Sequence, residues 1–180
     1  LVNSDGSIDL EILDTLITDK TALVSILYVN NEIGTIHPIS EISAICQKHG
    51  ALFHTDAAQA TGKIPIDVDR DGIDLLSISG HKIYGPKGIG ALFIRQGIKN
   101  KIKPIIFGGG QEGGVRSGTL PAPLCIGLGA ACKLLQQEMS EDQKVIEQQK
   151  DIFMSIILEK VPFARLNGSL KNRIYNNLNI

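Results

Sequence analysis

The sequence predicts an α/β layered fold with a largely parallel sheet. Two observations carry this. Compact runs rich in Val, Ile and Leu alternate with a stretch of helical periodicity. Glycine is abundant, at 19 residues, and marks the turns between them. Sheets of this kind place ligands at the carboxyl ends of their strands, so candidate chemistry is sought there.

The elements follow in order. Residues 8–17 carry Ile8, Ile12, Leu13 and Leu16 at helical spacing and read as a short helix. Residues 22–29 form a buried strand. Residues 39–49 place Ile39, Ile42, Ile45, Cys46 and His49 on one helical face, with Ser40 as the expected cap and Gly50 as the stop. Residues 51–55, 73–78 and 90–94 read as three further strands. From Pro123, which suits a first helical turn, Leu124, Leu128, Ala131, Leu134 and Leu135 form an apolar stripe. A second helix is expected from Ser140, with Gln143 completing a capping pair and Val145, Ile152, Phe153, Ile156 and Ile157 as its apolar positions. A domain boundary is placed between these helices, near residue 140. From Ile174 the chain reads as the beginning of another strand. With Leu at position 1 and a tail that ends in a nascent strand, the sequence is read as a fragment.

Composition narrows the function classes. Apolar residues make up 43% and charged residues 21%, the mix of a globular domain. The 18 basic and 19 acidic residues leave a net charge of −1, which gives no electrostatic reason for a nucleic-acid partner or an anionic membrane surface. No apolar run is long enough to span a bilayer, and no signal-peptide pattern opens the sequence. Cys46, Cys125 and Cys132 are an odd number without disulfide spacing, which suits a reducing compartment and buried apolar roles.

Three clusters carry chemistry. The strand over 73–78 runs into Ser79-Gly80-His81-Lys82, followed by the turn residues Gly85-Pro86-Lys87-Gly88. An amine at a strand's carboxyl end, held in a partly dry crevice, loses proton affinity and can attack an aldehyde. Asp56 ends the neighbouring strand, where a carboxylate can pair with the protonated ring nitrogen of pyridoxal phosphate (PLP) and make that ring an electron sink. Gln59, three residues on, could hydrogen-bond the ring oxygen. Residues 108–119 are glycine-rich and end in Arg116, Ser117 and Thr119, anion-binding groups just before a helix N-terminus. Two other motifs fail. The spacing Gly80 to Gly85 resembles a P-loop, but Pro86 stands where lysine is required. Cys46, His49 and His54 lack the second paired motif of a zinc site, so no metal is expected, and His37, His49 and His54 read as structural or surface residues.

Four strings together resemble the cysteine desulfurases, fold-type-I PLP enzymes of the class V aminotransferase group: VNNEIG at 29–34, HTDAAQ at 54–59, SISGHKIYGPKGIGA at 77–91 and RSGTLP at 116–121. The resemblance implies the three-layer α/β/α large domain of that fold over 1–140 and the start of a small carboxy-terminal domain over 141–180. It implies that Lys82 holds PLP as a Schiff base, with Lys82 or His81 assisting proton transfer. It also implies Asp56 on the pyridine nitrogen, Gln59 on the ring oxygen, and Asn31 beside cofactor and substrate carboxylate. Ser79 and His81 would bind the phosphate, and Thr119 would reach the phosphate of a partner subunit in a homodimer. The implied reaction converts L-cysteine to L-alanine and leaves a persulfide on the enzyme for iron–sulfur scaffold and tRNA-thiolation acceptors. The implied location is bacterial cytoplasm or the mitochondrial matrix.

Departures accompany the resemblance. Gly113 stands where the family has Arg, and Val115 where it has Met. None of Cys46, Cys125 or Cys132 takes the place of the family's sulfur-accepting cysteine, which is expected beyond Ile180, so the fragment is expected to be inactive alone. The remaining alternatives are a related PLP enzyme, such as a selenocysteine lyase or a small-amino-acid aminotransferase, and a non-catalytic scaffold retaining the fold.

Overall fold

A computed structural model describes residues 2–180. One sheet contains β1 (Leu23–Leu27), β2 (Leu52–Asp56), β3 (Leu75–Ser79) and β4 (Gly90–Ile94), ordered as in the chain. β1, β2 and β3 run parallel, and β4 pairs antiparallel with β3. The connection over 80–89 is shorter than the dozen or so residues that a parallel crossover needs, so β4 has to return antiparallel. The α/β architecture with a largely parallel sheet is therefore the one predicted from the sequence.

Strand ends shift by one or two residues. β1 stops at Leu27 rather than 29, because Val29 leaves the ladder to bridge Ile36 across a tight turn. In that turn the Asn30 side-chain oxygen accepts from the amides of Glu32 and Ile33. β3 starts at Leu75 rather than 73, because the Ile73 amide donates to the Val68 carbonyl and the Asp74 carboxylate accepts from the Phe53 amide.

The first helix, α1 (Leu10–Leu16), is shorter than the expected 8–17. Asp9 caps it by accepting from the Ile12 amide at 3.0 Å, and Ile8 bridges Val2 instead. Helix α2 (Ile39–Lys48) begins after Pro38, and Ser40 lies inside it rather than capping it. The Ser40 hydroxyl instead donates to Asp71 at 3.2 Å. α2 buries Ile39, Ile42 and Cys46 in a core with Val29, Phe53, Ile73 and Leu76. In β2 the buried residues Phe53 and Thr55 point to that core, and the half-buried His54 and Asp56 point the other way.

Helix α3 (Ala122–Lys160) is continuous over 39 residues, so the expected break before Ser140 does not occur. Nothing from Met139 to Gln143 breaks a helix. A Ser-x-x-Gln spacing acts as a cap only when the preceding residues are not already helical. Pro123 does sit in the first turn, as expected. The first half of α3 packs on the turns around the site, with Gly127 against Pro86, Ala131 against Gly85 and Leu135 against Gly62.

The tail from Ile174 is not a strand. Ile174 and Tyr175 are buried, and Arg173 makes a single bridge to Thr35. The Ile174 amide donates to the Gly34 carbonyl, and the side chains of Asn177 and Asn179 both donate to the Glu32 carbonyl.

Asp71 is 3% exposed and ties three segments together. It accepts from Arg70 Nε at 2.7 Å, from Ser40 and, at 3.3 Å, from the Tyr28 hydroxyl. The Arg70 guanidinium holds its carboxyl below the ordinary value of 3.8. Burial, with the Asp71 charge beside it, pushes the Tyr28 phenol up to about 12.

Two predictions follow from this packing. Phe53, fully buried, should cost about 3–5 kcal/mol of stability as Phe53→Ala, read by urea denaturation. The Asp71 pKa is depressed in the folded state, so its stabilisation is complete above the unfolded value of 3.8 and disappears as pH falls through the lower folded value. Denaturation midpoints of Asp71→Asn and the parent protein should therefore differ at pH 6 and converge as pH falls through the depressed folded-state value, which lies below 3.8.

Candidate cofactor site

Parallel pairing brings the carboxyl ends of β1, β2 and β3 to one edge. Leu27 lies opposite Asp56, and Asp56 opposite Ser77. β3 ends at Ser79 and passes directly into a 3-10 turn over Gly80–Ile83.

That turn is anchored at three points. The Gly80 amide donates to the Ile89 carbonyl at 2.9 Å, and the Gly85 amide to the Gly80 carbonyl at 2.9 Å. A Cβ on Gly80 would stand 2.8 Å from Ile89 Cγ2 and 2.9 Å from its carbonyl oxygen, so only glycine lets the strands close here. Ile83 is buried and pins the turn, while His81 and Lys82 are exposed. Tyr84 leaves the turn with φ 61° and is 93% exposed, a left-handed conformation outside glycine. The Lys82 amine is thus carried on a fixed backbone but is exposed, not held in the partly dry crevice that the sequence leads one to expect.

Around it lie groups of complementary chemistry. The Asp56 side-chain oxygen Oδ1 accepts from the Ala58 amide at 2.8 Å, which orients the carboxylate at the end of β2. Ser79 Oγ and His81 Nδ1 are 3.1 Å apart, pairing a hydroxyl and an imidazole at the mouth of the turn. Gln59 is half-buried, and its side-chain oxygen accepts from Lys63 Nζ at 3.1 Å. Behind Asp56, His54 bridges the strands through Ser25 at 2.7 Å and Ser77 at 3.2 Å. Burial lowers its pKa, with the Asp56 charge opposing.

Lys63 is a site residue that the sequence reading missed. The available signal was a lysine four positions after Gln59. Burial lowers its pKa, and the Lys82 charge lowers it further. Both lysines line a small cavity of about 30 Å³ with Tyr84, Leu135, Asp142 and Tyr175.

The outer candidates are placed differently. Asn31 is exposed on the turn after β1, where Asn30 makes the capping hydrogen bonds. Thr119 is exposed just before α3. Ser117 is buried, and the Arg116 guanidinium folds back to donate to the Ser117 carbonyl, so only Arg116 and Thr119 offer exposed polar groups. The Lys99 ammonium occupies the space beside Gly113, so a positive charge stands next to the position where the resemblance led us to expect arginine.

The remaining histidines and cysteines have other roles. His49 pairs with Asp14 at 2.8 Å, and His37 is buried with its pKa lowered by desolvation. Cys46 is buried, and desolvation pushes its thiol up to about 11. Cys125 is half-buried, and Cys132 is exposed, contrary to the expected buried role. Among the described residues no helix is long and apolar enough to cross a membrane.

The donor set fits PLP: an accessible amine, an oriented carboxylate, an amide and a hydroxyl–imidazole pair along one strand-end edge. The class-V aminotransferase profile matches residues 1–180. The chain belongs to this family. The class-V aminotransferase chain is 54% identical, over 99% of its length, to a protein of Dictyostelium discoideum named "Probable cysteine desulfurase, mitochondrial". It is also 54% identical over 99% of its length to "Cysteine desulfurase IscS" of Ehrlichia chaffeensis. It spans 40% and 44% of these two relatives, less than half of each. A solved structure titled "NIFS-LIKE PROTEIN" superposes with a TM-score of 0.92 at 38% identity, covering 98% of this chain and 48% of that one. The α/β fold of this family member is thus shared over 98% of its length.

The left-handed residue that ends the Lys82 turn yields a stability test. Tyr84→Val should be about 1–2 kcal/mol less stable than Tyr84→Gly, because a β-branched residue resists φ 61°. Thermal unfolding of the two variants measures the difference.

Proposed function

We propose that the protein to which this chain belongs is a PLP-dependent cysteine desulfurase, which takes sulfur from L-cysteine and releases L-alanine. The observation that carries the reading is the presentation of Lys82 and Asp56 on the same strand-end edge, one on an anchored turn and the other at the end of β2. The names of the similar relatives support the substrate class.

Lys82 would hold the cofactor covalently, Asp56 would keep the ring nitrogen charged, and Gln59 would contact the ring oxygen. Ser79 and His81 would bind the phosphate, with Thr119 reaching the phosphate of a partner subunit and Asn31 lying beside the substrate. When bound, PLP supplies an electron sink for the bonds around the substrate α-carbon. Lys82 would move protons at that carbon, with His81 as the second candidate. Sulfur would pass to a cysteine outside residues 1–180, which leaves this piece inactive by itself. The raised thiol pKa of Cys46 argues against Cys46 itself as that acceptor, since the thiolate is the nucleophile.

The reading extends to a homodimer, to iron–sulfur scaffold and sulfur-acceptor partners, and to bacterial cytoplasm or the mitochondrial matrix. It also keeps the division into a large domain over 1–140 and the start of a small one over 141–180, with α3 running through the junction.

The test uses full-length protein. It should carry a visible absorbance band and convert L-cysteine to alanine, with the persulfide sulfur released as sulfide once a thiol reductant such as dithiothreitol is supplied. Lys82→Ala should lose the band and at least about 10²-fold in turnover. Asp56→Ala should keep the fold by circular dichroism while turnover falls. A full-length protein with no visible band after incubation with PLP would overturn the proposal.

A further inference from the structure

Lys63 is a half-buried cation whose partners are unusual. Buried ammonium groups ordinarily pair with carboxylates. Lys63 Nζ instead donates twice to a single residue, to the Gln59 main-chain carbonyl at 3.2 Å and to the Gln59 side-chain oxygen at 3.1 Å. The stretch between them is wound tightly enough to permit this. The Thr61 amide donates to Ala57, and the amides of Lys63 and Ile64 both donate to Ala60.

The chemistry of this contact is directional. An ammonium has only donors and selects the oxygen of an amide over its nitrogen. A free glutamine side chain can present either end to a ligand. A glutamine whose oxygen is held by a cation presents its N–H₂ end.

We propose that Lys63 is a positioning residue for the cofactor pocket: it clamps the Gln59 amide oxygen, so that the amide nitrogen is the group offered to the ring oxygen of the cofactor. This rests on the reading of Gln59 as the ring-oxygen contact. In this role Lys63 acts through Gln59, the residue that its ammonium contacts. Tyr84 and Lys82 from the turn after β3, Asp142 from α3 and Tyr175 from the tail share its cavity, so its charge is also felt locally.

An N–H donor stabilises negative charge on the ring oxygen. Losing it raises the pH at which the cofactor's visible band titrates. The test is a pH titration of that band in full-length, PLP-loaded protein, together with PLP affinity of the cofactor-free form. Lys63→Met should move the midpoint up by about half a unit or more and weaken PLP binding. Lys63→Arg, which keeps a donor, should stay near the parent value. Gln59→Ala should show the same upward shift, and Lys63→Met added to Gln59→Ala should add nothing.

The failures are distinguishable. If Gln59→Ala shifts the midpoint and Lys63→Met does not, the positioning role is wrong and the Gln59 reading stands. If Lys63→Met keeps its full shift in the Gln59→Ala background, Lys63 acts by charge alone and the proposal is overturned. If neither variant shifts it, the Gln59 contact fails and takes the proposal with it. Thermal melts accompany each titration, and Lys63→Gln replaces Lys63→Met if the latter does not fold.

Discussion

The parallel pairing of β2 with β3 is the constraint on which the rest of the structure depends. It sets Asp56 against Ser77 and so brings two strand ends, with everything they carry, to one edge. A one-residue slip in that register would exchange the faces of β2, sending His54 and Asp56 into the apolar core and Phe53 and Thr55 out of it. The hydrophobic contact of Phe53 with α2 therefore defends the position of Asp56. Core packing and site geometry are here the same interaction seen from two faces of one strand.

Charge is managed differently in the two halves of the molecule. Away from the site, a carboxylate meets a guanidinium, as at Asp71 with its neighbour Arg70, and the Ser40 hydroxyl of α2 donates to the same carboxylate, tying loop to helix. At the strand-end edge Lys63 meets an amide, although the carboxylate of Asp142 lines the same cavity. Lys63 binds the oxygens of Gln59 and lies close enough to Lys82 for their charges to oppose. Such an edge favours an anionic, electron-rich ligand, and a phosphorylated cofactor with a phenolic oxygen has that character.

Element identity was largely legible in the sequence, because period and composition report it directly. β4, β2 and α2 lie within one residue of expectation. The exceptions have a common origin. Ser140 with Gln143 resembles a helix start, and residues 174–180 resemble a strand, only when the neighbours are ignored. The turn of α3 already in place before Ser140, and the Glu32 carbonyl that waits for Asn177 and Asn179, decided against both. Likewise Ser40 had the right chemistry for a cap, but the helix begins before it and its hydroxyl donates to Asp71 instead.

By itself the sequence determined the class of fold, the presence of a lysine and a carboxylate at strand ends, and the family, because local propensity and short contiguous strings encode them. Only the tertiary structure decided which groups meet. That Lys63 reaches Gln59, that His54 bridges Ser25 and Ser77, and that Ser117 is buried while Lys82 stays open depend on chain segments brought together by packing. Propensity acts between near neighbours, whereas a site is assembled by burial and register across the whole chain, and no local pattern records that outcome.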